Sequence, residues 1–398
     1  MNVLQVTPTH VYPPTTGGQH RHHGIVSAYP DCGDTVTRFA QGGPTQKLLP
    51  FGHRDRLRIR EGYVERRDCG LLAIGAKLPM LAGQPNVFQN AALSLRPPSW
   101  VRDAAGEADL VQVEGPWQLP TVAEFVPEST PLVFSSHNVE YDLFAADADG
   151  LVDEWFLDRL ATLERRALDA ADVLVCTTER DREGFDSRYG IDCPTVHAPN
   201  GTGRETLRET PAIDADDGSV RRRHGIAPES TVALFVGTGH RPNVESVRRL
   251  VEQFRSEPAL DDTHLLVVGT VCDAIGDAPE NVTLAGFVDA IEPYYDATDV
   301  ALNPITNGSG SNIKLLDYLA RGLPVVSTPF GTRGFDVVDG EHLVVADADA
   351  VPGAIARLGA NAELRAALGR AGLELVAERY TWDCISERLR GELARYFE

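Results

Sequence analysis

The sequence predicts an α/β fold of two doubly wound domains, and three observations lead to this fold class. The chain has 398 residues, more than one core usually organises, and 42% of them are hydrophobic. Each half alternates short apolar runs with amphipathic stretches, which is typical of parallel sheets covered by helices. A polar junction rich in Gly, Pro, Asp and Arg separates the halves. Because such sheets bind ligands at the carboxyl ends of their strands, we expect two domains that face each other across a cleft.

The first half is predicted to form one domain over residues 1–203. Its main helix is expected within residues 154–171, where apolar side chains recur at helical spacing. Short runs rich in β-branched residues predict its clearest strands at residues 3–6, 110–113, 132–134 and 173–176.

The second half repeats this pattern and is predicted to form a domain over residues 204–378, with a linker region at residues 204–230. Residues 379–398 are expected to form a helix that begins near Thr381 and returns to the first domain. Predicted strands lie at residues 232–236, 264–268, 282–285, 300–303, 324–327 and 343–346, and predicted helices at residues 244–254 and 313–321.

The charge balance argues against nucleic acid as a partner. The net charge is −21 and the pI is about 4.9, so a phosphate backbone would be repelled. Only Lys47, Lys77 and Lys314 are lysines, and such an acidic, lysine-poor surface indicates an organism with high internal salt. The chain has no apolar run near the roughly 18 residues that span a bilayer, and its start does not resemble a signal peptide. We therefore expect a cytoplasmic protein.

The strongest candidate for a ligand site is a glycine-rich loop ahead of a helix, NGSGSNIKLLDYLARG. Gly310 allows the backbone to approach a ligand closely, and the helix is expected to begin near Ser311 or Asn312. The first amides of a helix have no intrahelical acceptor and lie at the positive end of its dipole. The amides of Ser311, Asn312 and Ile313 therefore predict an anion site that fits a diphosphate.

Two charged side chains follow in the first turns of this helix. Lys314 can neutralise a phosphate, and Asp317, three residues later on the same side, can accept hydrogen bonds from ribose hydroxyls. An ordinary capped loop with an exposed ion pair between these two residues is the alternative.

A glycine pair near the amino terminus is a second candidate. Gly17 and Gly18 follow a loop after the first predicted strand, so their amides can meet a phosphate or a sugar. Arg21, one turn further, can reach the same diphosphate. The alternative is a plain turn before a helix.

Metal binding is not expected. His20, His22 and His23 are clustered, and His20 and His23 share a helical face, but no carboxylate or cysteine accompanies them at ligand spacing. The three histidines are expected to line the cleft or to face solvent. The Asp-x-Asp pairs of the chain are interpreted as solvated acidic residues.

Three polar residues end or follow predicted strands of the first half. His137 follows an apolar strand, and Glu114 and Glu140 lie on the same side. Active-site groups of α/β sheets emerge at such positions. A structural histidine with satisfied hydrogen bonds is the alternative for His137.

Six segments, taken in order, resemble glycosyltransferase family 4, whose members have the GT-B fold of two facing Rossmann-like domains. GSGSNIKLLDYLARGLPVVSTPFGTRG is similar to the donor-site segment, and PPTTGGQHR is similar to the amino-terminal glycine loop. VFSSHNVEY resembles the family's strand-end histidine segment, and APNGTG resembles its domain crossover. LFVGTGHRPNVESVRRLVEQF resembles the first strand and helix of the donor domain, and VTLAGFVDAIEPYYDATDVALNP resembles the base-reading segment. The resemblance covers nearly the whole chain.

This resemblance implies a retaining, metal-independent glycosyltransferase. It would move a sugar from a nucleotide-sugar donor to a glycan or lipid-linked acceptor. The nucleotide-sugar is then a substrate, and no cofactor is expected.

The resemblance also implies roles for individual residues. Lys314 and Arg241 would stabilise charge on the departing diphosphate. Asp317 would bind the ribose, and His137 would hydrogen-bond a hydroxyl of the transferred sugar.

The base and the acceptor would meet other residues. Phe287 and Val288 would present backbone groups to the base. Glu114 and Glu140 are the candidates for contact with the acceptor.

The donor segment departs from the family pattern. The family has two glutamates eight residues apart, where this chain has Ser309 and Asp317. Relatives that lack the first glutamate carry Arg and Lys, where this chain has Asn312 and Lys314. A degenerate, non-catalytic binding subunit is therefore one alternative, and a sugar-nucleotide epimerase of the GT-B fold is another. A nicotinamide-dependent dehydrogenase is disfavoured because no GxGxxG motif opens a helix after either first strand.

One basic stretch, HRDRLRIREGYVERR, runs from His53 to Arg67 in this acidic chain. Alternation around Leu57 and Ile59 predicts a strand with arginines on its outer side. The stretch can contact an anionic membrane or a lipid-linked acceptor at the inner face of the membrane. An ordinary strand decorated with arginine is the alternative.

Overall fold

The computed structural model describes residues 1–42, 56–68, 70–146, 148–208, 218–308 and 311–397. The chain divides into two compact units. The first contains Met1–Pro199 together with Trp382–Glu398, and the second contains Asn200–Thr381. The divisions predicted after residues 203 and 378 lie a few residues from these.

A sheet of eight strands, counted over the described residues, forms the centre of the first unit. Its strands are β1 (Asn2–Thr7), β2 (Thr35–Gln41), β3 (Arg56–Arg60), β4 (Tyr63–Asp68), β5 (Leu110–Glu114), β6 (Leu132–Ser135), β7 (Val173–Cys176) and β8 (Thr195–His197). They lie in the order β3-β4-β2-β1-β5-β6-β7-β8. Every neighbouring pair is parallel except β3 and β4. The edge strand β3 exposes its arginines at alternate positions, as its sequence predicts.

Helices alternate with these strands along the chain, because apolar residues recur there at helical spacing. In the longest, for example, Leu157, Leu160 and Leu168 are buried. The helices are α1 (Gly17–Gly24), α2 (Leu71–Gly75), α3 (Gln89–Leu95), α4 (Ser99–Gly106), α5 (Leu119–Ala123), α6 (Glu140–Ala145), α7 (Leu151–Ala170) and α8 (Glu179–Tyr189).

The second unit is built on a parallel sheet with six strands among the residues described. Its strands are β9 (Thr231–Val236), β10 (Thr263–Val268), β11 (Val282–Gly286), β12 (Val300–Asn303), β13 (Val325–Ser327) and β14 (Val344–Val345). Their order is β11-β10-β9-β12-β13-β14. All ten strands predicted by their apolar runs are therefore present in the two sheets, with ends that differ by at most one residue.

The helices of the second unit also follow its strands. The amphipathic helix over Arg241–Ser256, for example, begins directly after His240, whose backbone is extended. Pro242 lies in the first turn of this helix, where proline is favourable. The helices are α9 (Ser219–His224), α10 (Arg241–Ser256), α11 (Glu292–Asp296), α12 (Ile313–Leu319), α13 (Val351–Gly359) and α14 (Ala362–Arg379). In the part of the chain that the structure describes, no helix has the length and apolar composition that crossing a membrane requires.

The carboxyl-terminal helix α15 (Trp382–Phe397) belongs to the first unit. Its apolar side packs in the core that contains Val3 and Ile25, through Trp382 and Leu389. The hydroxyl of Ser386 accepts a hydrogen bond of 3.0 Å from the amide of Ala28.

Both sheets have a point where successive connections leave in opposite directions. In the first unit β1 lies between β2 and β5, and in the second β9 lies between β10 and β12. At such a point the loops at the carboxyl ends of the two central strands separate and leave a crevice. These two crevices position the residues described below.

Candidate active site

In the second unit, the first turn of α10, which follows the loop after β9, places Asn243 at the crevice. A Cβ on Gly237 would lie 3.2 Å from Cγ of Asn243 and 2.7 Å from the Phe235 ring, so glycine leaves room for both side chains. The side-chain nitrogen of Asn243, Nδ2, donates to the backbone carbonyl of Thr238 at 3.1 Å. The amide oxygen of Asn243 is therefore held at the carboxyl end of the first strand of this sheet.

Lys314 lies in the first turn of α12, which follows the loop after β12, and its side chain reaches the side-chain amide of Asn243. Its Nζ donates to Oδ1 of Asn243 at 2.6 Å and lies 4.2 Å from the centre of the Phe235 ring. Among the described residues, no carboxylate lies within ion-pair distance of Nζ. Burial lowers the pKa of Lys314 to about 7. This amine is therefore a largely desolvated cation site without a counter-ion, which favours an anionic ligand.

The glycine loop brings a second basic residue to the same edge. Gly308, with φ of 127°, is the last residue described before Ser311. A Cβ on Gly308 would lie 3.5 Å from Cγ of Pro242 and 3.6 Å from Nη2 of Arg333. Arg333 stacks on Phe330, with its guanidinium carbon 3.9 Å from the ring centre. Pro242 and Arg333 thus line the loop that leads into α12.

The predicted anion cradle is only partly described. Gly310 and its neighbour Ser309 lie outside the described residues. Ser311 accepts a hydrogen bond of 2.8 Å from the side chain of Asn200, and α12 begins at Ile313. Asn312 precedes it without capping the helix through its side chain, and its buried Nδ2 has no hydrogen-bond partner among the described residues. The described part of the cradle therefore presents one unused side-chain donor, Nδ2 of Asn312.

Asp317 lies one turn after Lys314 and is half-buried. Burial raises the pKa of Asp317 to about 6, and Arg321 opposes this rise. The ion pair between Lys314 and Asp317 that the sequence left open as an alternative is not formed, although both residues are described. Each charged group is therefore available to a ligand.

The other residues predicted to bind the sugar donor also belong to the second unit, at the start of a helix or just after a strand. Arg241 is the first residue of α10, and its 78% exposed side chain pairs with Glu245 at 2.8 Å. Glu245 also accepts a hydrogen bond of 2.8 Å from Asn307. Phe287 follows β11 and is 77% exposed, whereas Val288 is half-buried against the core.

In the first unit, Gly17 and Gly18 begin α1 and are exposed. The interpretation of Arg21 as a diphosphate ligand is wrong for this structure. Its guanidinium is buried and donates to the carbonyls of Ala198 (2.9 Å), Pro199 (3.2 Å) and Ser136 (3.4 Å). A side chain so placed fastens α1 to the ends of neighbouring strands instead of reaching a ligand.

Glu114, His137 and His22 meet at the crevice of the first unit. Glu114 ends β5 and is completely buried, so its predicted contact with the acceptor is wrong. Its Oε2 lies 3.6 Å from Nε2 of His137, and the rings of His22 and His137 are 4.5 Å apart. Burial lowers the pKa of both histidines, so both are neutral at pH 7.

This cluster has the composition of a metal site, but its geometry and surroundings disfavour a cation. The three ligand atoms lie within 4.8 Å of one another. A tetrahedral zinc ion with bonds of about 2.0–2.1 Å would need ligand atoms about 3.4 Å apart. Arg21 and Arg38 also place positive charge near Glu114, which works against a further cation.

Glu140 begins α6, and its environment favours the protonated form of its carboxyl group. Burial, with the nearby Glu164, raises the pKa of Glu140 to about 8. The backbone amide of Glu140 donates to Oε1 of Glu164 at 2.7 Å, and Tyr189 donates to the other oxygen at 2.6 Å. Glu140 is therefore largely protonated at pH 7 and can donate a hydrogen bond. Its contact with the acceptor stays a prediction.

Two family models match the chain. The model described as glycosyl transferase 4-like domain matches residues 16–201, and the model of glycosyl transferases group 1 matches residues 230–361. The chain belongs to the group 1 glycosyltransferases of the family 4 type. The second match contains both Asn243 and Lys314.

Known proteins similar to this glycosyltransferase include a curated relative and solved structures. The GDP-mannose-dependent alpha-(1-6)-phosphatidylinositol monomannoside mannosyltransferase of Mycobacterium tuberculosis is 25% identical over 244 residues, which are 56% of this chain and 62% of that enzyme. Sucrose-phosphate synthase from Thermosynechococcus elongatus has a TM-score of 0.70 at 19% identity, covering 99% of this chain and 98% of that chain. Anabaena HepE in complex with UDP has a TM-score of 0.67 at 15% identity, with coverages of 99% and 100%. The predicted GT-B fold is confirmed.

Sequence reasoning missed three residues of this glycosyltransferase that the geometry brings forward. Asn243 and Arg333 lie inside the segments GHRPN and GTRG, and Asn200 lies in APNGTG. Each of these three residues is next to or between the glycines and prolines of its loop. The sequence therefore contained a signal that could have identified them. His22 was named with its neighbouring histidines, but its contact with Glu114 and His137 was not predicted, because these two partners are far away in the sequence.

Proposed function

We propose that this glycosyltransferase transfers a sugar from a nucleotide-sugar donor to a glycan or lipid-linked acceptor, with retention of anomeric configuration and without a metal ion. The observation that carries the proposal is Lys314 at the crevice of the second unit, a desolvated amine that no carboxylate of the described residues pairs with. A diphosphate leaving group supplies the missing negative charge.

The main catalytic contribution proposed is electrostatic. Negative charge grows on the diphosphate as the bond to the sugar breaks, and an ammonium group held beside the bound diphosphate stabilises that charge. Asn243 and the Phe235 ring hold Lys314 in place before the donor arrives. Arg241 and Arg333 are the further cations proposed at this edge, and the amides at the start of α12 add donors.

Other groups bind the remaining parts of the donor. Asp317 accepts hydrogen bonds from the ribose, and Phe287 and Val288 offer backbone groups to the base. His137 of the first unit binds a hydroxyl of the transferred sugar. In this arrangement the charge of the leaving group is met by protein cations, which supports a reaction without a metal ion.

The relatives suggest which donor to test first. The name of the mycobacterial relative specifies GDP-mannose and a phosphatidylinositol mannoside, whereas the Anabaena structure contains UDP. We propose GDP-mannose as the first donor and a lipid-linked glycan as the first acceptor. The unusual Asp317, one methylene shorter than glutamate, still offers two oxygens to a ribose.

A thermal-shift panel followed by a transfer assay tests this function. GDP, UDP, ADP and NAD are added to the folded chain in dilute and in concentrated KCl. A ligand at 100 times its dissociation constant should stabilise the chain by about 2.7 kcal/mol. The matching sugar-nucleotide is then incubated with mannosylated lipid acceptors, and proton NMR of the product should show the donor's anomeric configuration.

The outcomes of that assay separate the proposed transferase from its alternatives. Transfer with inversion contradicts the retaining mechanism. Conversion of the sugar-nucleotide without any acceptor indicates an epimerase. A folded chain that binds none of the nucleoside diphosphates is a degenerate binding subunit.

We also propose peripheral contact with the cytoplasmic face of a membrane, through a surface broader than the basic stretch. In that stretch Arg60 pairs with Asp31 and Arg67 is buried against Glu65, which leaves Arg56 and Arg58 exposed. Residues 53–55 lie outside the described residues. The stretch is followed by exposed apolar side chains: Leu71 (86%), Leu72 (45%), Leu78 (56%), Met80 (49%) and Leu81 (72%).

Sedimentation with lipid vesicles checks this contact. The double variant Leu71→Ser/Leu81→Ser should lose most binding to vesicles that contain anionic lipid, because it removes the apolar groups that enter the interface. Val338→Ser, which changes a 50% exposed apolar residue of the second unit, is the matched control. Wild-type chain that stays in the supernatant at all lipid concentrations contradicts the proposal.

A further inference from the structure

Glu114 is a buried carboxylate that the proposed reaction does not use. Its Oε1 accepts hydrogen bonds from Gln5 at 2.8 Å and from Gln112 at 2.7 Å. Burial acts to raise the pKa of Glu114, but contact with His137 and the charges around it lower the pKa to about 2. Glu114 is therefore a fixed anion at pH 7, with one oxygen occupied by two amides.

The other oxygen of Glu114 faces His137. Oε2 of Glu114 and Nε2 of His137 are both buried, and neither has a hydrogen-bond partner among the described residues. Their separation of 3.6 Å is just beyond hydrogen-bond range. Such contacts in ligand-free sites often shorten when the substrate binds. A carboxylate oxygen is thus the nearest acceptor for a proton on Nε2.

A neutral imidazole carries one proton, and the stronger acceptor beside the ring decides which nitrogen holds it. His137 is neutral at pH 7 because it is buried, and the carboxylate of Glu114 faces Nε2. The side chain of His137 is 17% exposed although Nε2 is buried, so the exposed part of the ring lies away from Glu114.

We propose that Glu114 is a positioning residue that holds His137 in the tautomer with the proton on Nε2, so that Nδ1 carries the lone pair that accepts a hydrogen bond from the transferred sugar. Gln5 and Gln112 keep the carboxylate turned toward the ring. This inference rests on the proposed contact of His137 with the sugar. The contact of Glu114 itself is with the histidine and not with any substrate.

The tautomer of His137 is measurable without substrate. The full chain is labelled with ¹⁵N-histidine, and long-range ¹H–¹⁵N spectra report which nitrogen is protonated. His137→Gln and His22→Gln variants assign the signals among the eleven histidines. The wild type should show the proton on Nε2, and Glu114→Gln should show a mixed or reversed tautomer because its amide can also donate to the ring.

A wild-type His137 with the proton on Nδ1 overturns the proposal, as does an unchanged tautomer in Glu114→Gln. Zinc bound in stoichiometric amount to the purified chain also overturns it, because the metal would take the lone pair of Nε2. If Glu114→Gln does not fold, the wild-type spectrum decides alone.

The kinetic readout separates this role from the proposed function. Glu114→Gln should lower kcat about 10–100-fold, by analogy with the loss found when the hydrogen-bond partner that orients a metal-ligating histidine is removed. The affinity for GDP should stay unchanged, because the diphosphate site belongs to the second unit. Unchanged kcat contradicts the positioning role. If no donor is turned over by the wild type, the proposed function fails, and the tautomer measurement still decides the role of Glu114.

Discussion

Lys314→Met is expected to lower kcat/KM for the nucleotide-sugar by about 10²–10³-fold. This is the usual loss when a single preorganised group that stabilises transition-state charge is removed. Methionine keeps the length of the side chain and its packing on Phe235 but cannot carry a charge. The large effect is expected because Lys314 has no carboxylate partner among the described residues, so its charge is available to the diphosphate. Steady-state transfer kinetics with GDP-mannose measure it.

Lys77→Met is the matched control for this variant. Lys77 is 8% exposed and lies in the first unit, and burial lowers its pKa to about 8. It therefore resembles Lys314 in having a pKa lowered by burial, but it lies in the other unit. Its substitution should leave kcat/KM within a few-fold of the wild-type value. Equal losses in the two variants would show that removing any buried lysine damages the chain, and would contradict the specific role of Lys314.

Glu65→Gln is expected to destabilise the first unit by about 3–5 kcal/mol, the range typical when one partner of a buried ion pair is removed. Both oxygens of Glu65 are occupied: Arg67 donates to Oε1 at 2.6 Å and Arg38 donates to Oε2 at 3.0 Å. The amides of Val11 and Tyr12 also donate to Oε2, at 3.2 and 3.1 Å. The variant leaves two buried guanidinium groups without this anion and weakens the loop that leads into α1.

Denaturant unfolding followed by tryptophan fluorescence measures this loss in the first unit alone. All four tryptophans, Trp100, Trp117, Trp155 and Trp382, belong to the first unit. Glu61→Gln, at an exposed turn nearby, should change the free energy of unfolding by less than about 0.5 kcal/mol. A Glu65→Gln transition that coincides with the wild-type one would contradict the importance of this buried network.

Much of the fold was predictable because most strands are short apolar runs, as in β9 and β10. Strand β2 was not predicted, because it carries a buried arginine, Arg38, in the sequence TVTRFAQ. The charge of Arg38 interrupts the apolar pattern and is compensated by Glu65, 27 residues away. A single sequence does not show such long-range pairing, whereas local periodicity is visible in it.

The candidate site was predictable where its residues are neighbours in the sequence, and not where they meet only through the fold. The glycine loop and Lys314 are neighbours in the sequence, so their chemistry could be inferred from local spacing. Arg21 and Glu114 were misinterpreted because residue type suggested a ligand, while burial, which depends on the whole fold, gave each of them protein partners. His22 meets Glu114 and His137 only because β1, β5 and β6 are adjacent in the sheet.

Calorimetric titration of the chain with GDP tests the central claim, which is that Lys314 binds the diphosphate of the donor. With a pKa of about 7, Lys314 is mostly neutral at pH 8, and a diphosphate beside it should raise the pKa. Binding at pH 8 should then take up about 0.9 proton, seen as a difference between buffers of different ionisation enthalpy. For the same reason the affinity should fall as the pH rises above 7.

The wild type and Lys77→Met should bind GDP with this proton uptake, and Lys314→Met should bind GDP more weakly and without the uptake. UDP and ADP are titrated in the same way if GDP does not bind. Proton uptake that persists in Lys314→Met, or a folded wild type that binds no nucleoside diphosphate, would contradict the account.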